Sequence, residues 1–200
     1  MECIRGKQTW TLGAPQFRSR LEGHPEILLD LGTGDGRFVV AQVRRNVGVF
    51  GIGLDACREN LRETSRVNCE RTLFLIANAL DLPQELNGAI SYLTVNFPWG
   101  SLLDGLLAGE VGLLDGMTRV CSKGARLEVR LNRSAVQEAG FPLEEVSHKV
   151  RHELSRVGFR LRAVETLDGS YLKTCPTTWA RKMAFGREPH AILMRGEFRC

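Results

Sequence analysis

The feature that most constrains this chain is an apolar run that ends in an acid and three alternating glycines, Ile27-Leu28-Leu29-Asp30-Leu31-Gly32-Thr33-Gly34-Asp35-Gly36. A continuous apolar run is typical of a strand buried on both faces of a parallel sheet. Glycines directly after such a strand let backbone N–H groups approach a ligand before a helix begins. The stretch therefore predicts a nucleotide-type ligand site. A pyridine-dinucleotide site is disfavoured, because Arg37 occupies the position of that motif's third glycine.

The spacing Asp30-x-Gly32-x-Gly34-x-Gly36 resembles motif I of the class I S-adenosylmethionine (SAM) methyltransferases. A second apolar run ends in Asp55, about 20 residues beyond the glycines, where a carboxylate at the tip of the neighbouring strand can hold a ribose diol. We therefore predict SAM as the cofactor and Asp55 as its ribose ligand. Two alternatives stay open: the glycines form only a connecting turn, and Asp55 is the N-cap of the following helix.

The composition fits one domain with a single core, since 43% of the 200 residues are hydrophobic. The formal net charge of +4 is compatible with a polyanionic partner but does not require one. The cysteines are scattered without a C-x-x-C pair and the chain starts without a secretory signal, so we expect no disulfide framework, no thiolate zinc site and a cytoplasmic protein. No apolar run approaches the roughly 18 residues that span a bilayer.

Strand-like and helix-like segments alternate along the chain. This alternation predicts an α/β fold, a Rossmann-like doubly wound sheet of seven mostly parallel strands typical of class I SAM-dependent methyltransferases. We expect one domain over residues 1–200. Residues 1–13 are predicted as an N-terminal hairpin extension, and residues 132–142 and 167–188 as inserts near the substrate face.

The charged segment 58–68 is predicted as a helix with Arg58, Arg62 and Arg66 on one face. These arginines are either phosphate contacts or a solvated face paired with neighbouring glutamates. On a later helix His148 and His152 stand four residues apart, but no third ligand follows at a readable spacing, so we expect no metal.

In such a sheet the loop after the fourth strand faces the reactive methyl group, and here it reads Asn96-Phe97-Pro98-Trp99. Enzymes that methylate exocyclic amines of bases resemble one another in an N/D-P-P-Y/F motif there, and Asn96 stands one residue too early to match it. A ring nitrogen such as adenine N1 already has a lone pair, so its methylation requires positioning rather than proton removal. Trp99 and the distant Trp179 are predicted to stack on a flipped base. The alternative for each tryptophan is packing in the core.

Three motifs together, D-L-G-T-G-D-G from Asp30, F-P-W-G-S-L-L from Phe97 and W-A-R-K-M-A-F-G-R from Trp179, resemble the aminoglycoside-resistance 16S rRNA (adenine-1408-N1) methyltransferases, the Kam and Npm enzymes. The resemblance covers nearly the whole chain. It implies methylation of adenine N1 in the 16S rRNA of the 30S subunit, and it implies that Trp99 and Trp179 clamp the adenine while the Pro98 carbonyl accepts from its amine.

Strand ends and resemblance together predict a set of site residues. The predicted cofactor residues are Asp30, Gly32, Thr33, Gly34, Asp55, Asn78, Ala79, Leu80, Ser101 and Thr177. The predicted RNA contacts are Lys182, Arg187, Arg62, Arg66 and Arg71.

The sequence departs from the resembled family at three places. The connection between the second and third strands is shorter and less basic, Pro189 stands where related enzymes carry a basic residue, and Leu80 replaces an acid. These departures affect rRNA affinity more than cofactor binding, because backbone groups can read the adenine of SAM. The open alternatives are a methyltransferase for another RNA, such as tRNA, and a non-catalytic SAM-binding module. We expect a monomer without a membrane partner.

Overall fold

The computed structural model describes residues 1–67, 69–184 and 190–199, in which strands alternate with helices. The strands are β1 (Glu2–Arg5), β2 (Gln8–Thr11), β3 (Glu26–Leu31), β4 (Val49–Asp55), β5 (Thr72–Ile76), β6 (Ile90–Asn96), β7 (Cys121–Asn132), β8 (Phe159–Leu167) and β9 (Ala191–Phe198). The helices are α1 (Ala14–Leu21), α2 (Arg37–Arg45), α3 (Arg58–Leu61), α4 (Gly100–Ala108), α5 (Val111–Val120), α6 (Arg133–Glu138), α7 (Leu143–Arg156), α8 (Gly169–Thr174) and α9 (Thr178–Ala184). None of these helices is long and apolar enough to cross a membrane.

The nine strands of the described residues form one mixed sheet in the order β2-β1-β5-β4-β3-β6-β7-β9-β8. The central pairs from β5 to β7 are parallel, and the two pairs at each edge are antiparallel. The α/β class is confirmed, but the sheet of the described residues is mixed and has nine strands instead of the predicted seven. The additional strands are the predicted N-terminal hairpin, which joins the edge of the sheet where Cys3 pairs with Leu75 instead of standing apart from it.

Both faces of the sheet are covered by helices. Leu29 and Leu31 of β3 belong to the main core together with apolar residues of α4, α5 and α7, whereas Leu28 packs against α2 on the other face. Because successive residues of a strand point to opposite faces, a strand covered on both sides must be apolar throughout. This explains the continuous apolar run that precedes the glycines.

The predicted helix over 58–68 is not continuous. α3 ends at Leu61, and a 3₁₀ turn follows at Thr64–Arg66. Ser65 is buried there, and its hydroxyl accepts a hydrogen bond from the Gly6 N–H at 2.8 Å, which docks the segment on the turn of the hairpin. A serine side chain that bonds to backbone in this way competes with helix formation. Arg62 and Arg66 therefore do not lie on one continuous helix face, as the sequence predicted.

A second, smaller core lies beneath α8 and α9, within the segment predicted as an insert. Phe97 packs there with Leu172, Cys175, Ala180 and Leu193. Phe97 has φ +52° and is the one non-glycine residue with a positive φ in the described part of the chain. Such a conformation costs about 1–3 kcal/mol and persists only where the surroundings impose it. The turn after β6 is thus held against the segment that carries Trp179.

Candidate functional site

A cavity of about 520 Å³ opens at the carboxyl ends of β3, β4, β5 and β6. β3 pairs with β4 on one side and with β6 on the other, so the chain order reverses at this point and leaves a crevice between the strand ends. The volume falls within the range of small-molecule sites. The structure brings all ten predicted cofactor residues into the wall of this one cavity, together with Pro98, Trp99, Trp179 and Lys182.

Asp30 lies beneath the glycine turn with 1% of its surface exposed. Its carboxylate accepts hydrogen bonds from the Thr33 hydroxyl at 2.7 Å, the Thr94 hydroxyl at 2.7 Å and the Asn96 amide at 2.8 Å. Burial raises the pKa of Asp30 to about 6, and the three donors oppose that shift. Because all three partners donate, they match the ionised carboxylate. Asp30 thereby joins the glycine turn to the end of β6.

The glycine turn is shaped for close approach of a ligand. Gly34 has φ +57°, and a Cβ added to it would meet nothing within 4 Å. Gly36 has φ +72°, and a Cβ there would lie 2.3 Å from Cε1 of Phe74. The second position thus requires glycine both for its backbone conformation and for its packing. At Gly34 the space that a side chain would fill is open, so a ligand can approach the backbone there.

Asp55 stands at the end of β4 and lines the cavity. Its Oδ2 accepts from the Gly34 N–H at 2.8 Å, and its Oδ1 accepts from the Cys57 N–H at 2.8 Å and from the Asn60 amide at 3.2 Å. The N-cap of α3 is Cys57, so the helix-cap alternative for Asp55 is wrong. A carboxylate oxygen accepts more than one hydrogen bond, so Asp55 retains the capacity to bind ligand hydroxyls.

Three other predicted cofactor residues, Asn78, Ala79 and Thr177, also line the cavity. After β5, the Asn78 side chain accepts from the Leu80 N–H at 3.0 Å, and Ala79 between them is buried. Thr177 caps α9, because its hydroxyl accepts from the Ala180 N–H at 2.9 Å. These side chains fix the course of the chain around the cavity.

Trp99 and Trp179 are brought together although they are far apart in sequence. Their ring centroids are 5.5 Å apart and their planes are tilted by 34°. Trp179 is 47% exposed, whereas Trp99 is half-buried and packs against the main core. Lys182 places its Nζ 5.1 Å from the centroid of the Trp179 ring. The mouth of the cavity is thus formed by two indoles and a cation.

The other predicted RNA contacts lie elsewhere. Arg187 lies outside the described residues, as does Pro189. Arg62 pairs with Glu59 at 3.2 Å, and Arg66 is exposed with its side chain against the hairpin turn at Gly6. Neither of these two arginines lines the cavity.

Arg71 stands at the amino end of β5, whereas the cavity lies at the carboxyl ends of the strands. Its Nη1 donates to the backbone carbonyls of Asn46, Val47 and Val49 at 2.9, 2.9 and 3.2 Å. The guanidinium is therefore engaged in holding the turn that follows α2. Its predicted contact with RNA stays a prediction, and the structure does not bring it to the cavity.

Several contacts around the cavity were not predicted from the sequence. The Thr178 hydroxyl donates to the Asp35 carboxylate across the glycine turn, and the Arg130 guanidinium binds Asn96 from below. An arginine inside the apolar strand segment L-E-V-R-L was an available signal, since charged side chains are rarely buried without a partner. In the described ranges, no group of three or more His, Cys, Asp or Glu side chains is placed to hold a metal ion.

Nearly the whole chain is similar to one group of proteins. The family model described as NpmA, 16S rRNA (adenine(1408)-N(1))-methyltransferase, matches residues 2–198. A 16S rRNA (adenine(1408)-N(1))-methyltransferase from Escherichia coli is 29% identical over 206 residues, and the match covers 94% of each chain.

Solved structures extend the similarity to the fold. The crystal structure of the 16S rRNA methyltransferase KamB superimposes with a TM-score of 0.91 at 25% identity, over 100% of both chains. The crystal structure of the aminoglycoside resistance methyltransferase NpmB1 superimposes with a TM-score of 0.81 at 26% identity, over 98% of both chains. The likeness therefore includes the N-terminal hairpin and the segment around α8 and α9.

Proposed function

Because the chain belongs to the 16S rRNA (adenine(1408)-N(1))-methyltransferase family, as its motifs predicted, we propose that it transfers a methyl group from SAM to N1 of adenine 1408 in the 16S rRNA of the 30S subunit. It is an enzyme, a SAM-dependent methyltransferase that acts in the cytoplasm. The modification confers aminoglycoside resistance, the property named for its relative NpmB1. Residues 1–200 act as one domain and as a monomer.

The cavity fits SAM in volume and in the chemistry of its walls. Gly34 leaves open space where a ligand can approach the backbone, and Asp55 offers carboxylate oxygens for a ribose diol. The backbone around Asn78 and Ala79 lies at the end of the next strand, in position to read an adenine edge. Bound SAM supplies a methyl group on a positively charged sulfur. The chain's own residues hold the cofactor, orient the base and keep water out.

The hydrogen bonds of Asn96 support a ring nitrogen as the target atom. The Asn96 Nδ2 donates to Asp30 at 2.8 Å, and its Oδ1 accepts from Arg130 at 2.8 Å. Both ends of the amide are thus fixed between Asp30 and Arg130, and a neutral amide is too weak a base to take a proton from an exocyclic amine. Adenine N1 needs no base, because its lone pair attacks directly once the base is positioned. The Pro98 carbonyl accepts from the amine of the same base and fixes its orientation.

The positioning itself is assigned to Trp99 and Trp179. An adenine that leaves the rRNA helix loses a few kcal/mol of stacking, and restacking on an aromatic side chain returns about 1–3 kcal/mol. The exposure of Trp179 and its place at the cavity mouth support this role over packing in the core. Trp99, which lies in the turn after β6, stacks on the other face of the adenine.

Binding of the ribosomal subunit is assigned to the basic groups around the cavity and beyond it. Lys182 lines the cavity mouth and Arg187 follows it in the same basic segment, so both are placed in sequence to contact phosphates near the target base. Arg62 and Arg66 form a second, more distant contact beside the hairpin. Phosphate contacts of this kind give affinity that falls as salt rises.

The proposed function is tested by labelled SAM with three acceptors in parallel: purified 30S subunits, protein-free 16S rRNA and total tRNA. We expect methyl incorporation into 30S subunits in a stoichiometry that approaches one. Incorporation into tRNA alone would replace the proposed substrate with another RNA. SAM binding without incorporation into any acceptor would indicate a non-catalytic binding module.

A further inference from the structure

A buried arginine lies at the centre of the polar network below the cavity. Arg130 of β7 is 5% exposed, and its guanidinium donates to Asn96 Oδ1 at 2.8 Å, to Glu128 Oε2 at 2.6 Å and to the Tyr171 hydroxyl at 3.1 Å. Burial opposes its charge, but Glu128 and Tyr171 hold the pKa of Arg130 above its ordinary value. The guanidinium is therefore a fixed cation that donates hydrogen bonds to residues of β6, β7 and α8.

The first connection leads to the cofactor side. Asn96 has one amide orientation that satisfies both neighbours, with its NH₂ towards Asp30 and its oxygen towards Arg130. Asp30 in turn accepts from Thr33 in the glycine turn. The guanidinium is thus connected to the glycine turn through three hydrogen bonds, by way of Asn96 and Asp30.

The second connection leads to the methyl-site turn. The backbone carbonyl of Arg130 accepts from the Phe97 N–H at 2.8 Å. Phe97 is the residue with the left-handed backbone, and Pro98 and Trp99 follow it directly. Arg130 therefore holds two successive residues at the start of this turn. Its side chain binds Asn96, and its backbone carbonyl binds Phe97.

The third connection leads to the helices that carry the other tryptophan. Tyr171 lies in α8 and packs on the small core that contains Phe97 and Ala180 of α9. Its hydroxyl accepts from Nε of Arg130. α8 is thereby tied to the guanidinium, and α9 with Trp179 lies on the same small core.

We propose that Arg130 is a positioning residue that sets the distance between Trp99 and Trp179 by holding the turn after β6 and, through Tyr171, the α8–α9 segment. The inference rests on the proposed function for its effect on methyl transfer. The geometric part does not, because the spacing of the two indoles can be measured without RNA. Neither Arg130 nor Tyr171 contacts the reacting atoms in this account.

Tyr171→Phe is the sharpest test, because it removes one hydroxyl and keeps the ring in the small core. Tyr92→Phe is the matched control: the Tyr92 hydroxyl donates to the same Glu128 at 2.8 Å, but Tyr92 belongs to the middle of β6 and does not bind Arg130. Each variant loses one hydrogen bond of one network. Only the first loses the bond between β7 and α8.

Two indoles 5.5 Å apart couple electronically and give an exciton signal in circular dichroism. The part of that signal that Trp179→Phe abolishes belongs to the pair. We expect Tyr171→Phe to change this signal and to lower turnover on 30S subunits about tenfold, the loss typical of one hydrogen bond to a charged group. The dissociation constant for SAM should stay close to that of the parent, because Arg130 keeps its bonds to Asn96 and Glu128 in this variant. The melting temperature should fall no further than that of Tyr92→Phe, which loses a comparable hydrogen bond. Tyr92→Phe should leave both the signal and the turnover within twofold of the parent.

Arg130→Lys provides a second test, because a lysine ammonium lacks the planar fork that reaches three partners. Its loss of turnover should exceed that of Tyr171→Phe, and the double variant should lose no more than Arg130→Lys alone. An unchanged exciton signal and turnover in Tyr171→Phe, or an equal loss in Tyr92→Phe, would overturn the inference. A parent protein that leaves 30S subunits unmethylated would refute the proposed function, while the exciton signal would still decide the role of Arg130.

Discussion

The indole rings of Trp99 and Trp179 contact each other, with 5.5 Å between their centroids and 34° between their planes. Successive stacked nucleotides of one strand are about 3.4 Å apart, so a base inserted between two rings needs roughly 7 Å in all. The two rings as they stand leave no room for an adenine. Entry of the base therefore requires the indoles to separate, and the contact between them is exchanged for two contacts with the base.

The first prediction concerns the exposed partner of this pair. Trp179→Ala should lower the rate of 30S methylation by about 5- to 150-fold, the equivalent of the 1–3 kcal/mol that one aromatic stack contributes. The melting temperature should change little, because a side chain that is 47% exposed leaves no core cavity when truncated. Trp179→Phe keeps a smaller π-face and should retain part of the activity. A large fall in melting temperature for Trp179→Ala would indicate core packing instead.

The second prediction concerns the ribose ligand. Asp55→Ala removes hydrogen bonds to a charged acceptor worth about 1.5–3 kcal/mol each, so the dissociation constant for SAM should rise at least about tenfold. Isothermal titration calorimetry measures this change. Asp81→Asn is the control, because Asp81 is exposed and lies outside the cavity wall. Equal affinities of Asp55→Ala and the parent would remove Asp55 from the site.

The third prediction concerns pH. The pKa of Asp30 is raised to about 6 in the folded protein, above the 3.8 of an ordinary aspartate. The folded state therefore binds this proton more tightly than the unfolded chain, and the contribution of Asp30 to stability decreases as pH rises from about 4 to about 6. Cofactor binding follows the opposite sense. Protonated Asp30 cannot accept from Thr33, Thr94 and Asn96 together, so SAM affinity should fall as pH drops through about 6.

Titrations of SAM between about pH 5 and pH 7 measure this dependence. Asp30→Asn places a neutral side chain among the same three donors, with Arg130 as the nearby cation. It should bind SAM weakly across the whole range, without the rise that the parent shows. A parent and a variant with the same pH profile would show that Asp30 does not control the glycine turn.

The fourth prediction concerns the ribosomal contact. Lys182→Glu should weaken 30S binding at low salt, and its slope of log affinity against log salt should be smaller than that of the parent by about one phosphate contact. Its SAM affinity should stay unchanged. Lys123→Glu reverses an exposed charge near the amino end of β7, away from the cavity at the carboxyl ends of the strands. This variant should bind 30S subunits like the parent. Equal binding by Lys182→Glu would place the rRNA on another face.

The cofactor wall could be predicted because its residues follow buried strands at fixed offsets. Asp30, Asp55 and Asn78 each stand at or just beyond the end of an apolar run, and parallel neighbours in one sheet bring such ends together. Local sequence was also sufficient for the N-terminal hairpin over residues 1–13, whose turn lies at Gly6. α1 was missed although Pro15 in its first turn is a signal for a helix start.

The polar network could not be predicted, because its contacts join residues that are distant along the chain. Arg130 reaches Asn96 and Tyr171 across 34 and 41 positions, and no local spacing encodes such pairs. The break in the segment 58–68 has a similar cause, since Ser65 binds the hairpin 59 positions away. In both cases a long-range hydrogen bond overrode the local pattern.

The most direct test of the account is to locate the methyl group on the RNA. A methyl at N1 blocks the Watson–Crick edge of adenine, so reverse transcription of treated 16S rRNA should stop immediately on the 3′ side of adenine 1408, and nucleoside analysis should show 1-methyladenosine as the product. Untreated subunits should give no stop there. A modified nucleoside other than 1-methyladenosine, or a stop at a different adenine, would contradict the proposed reaction.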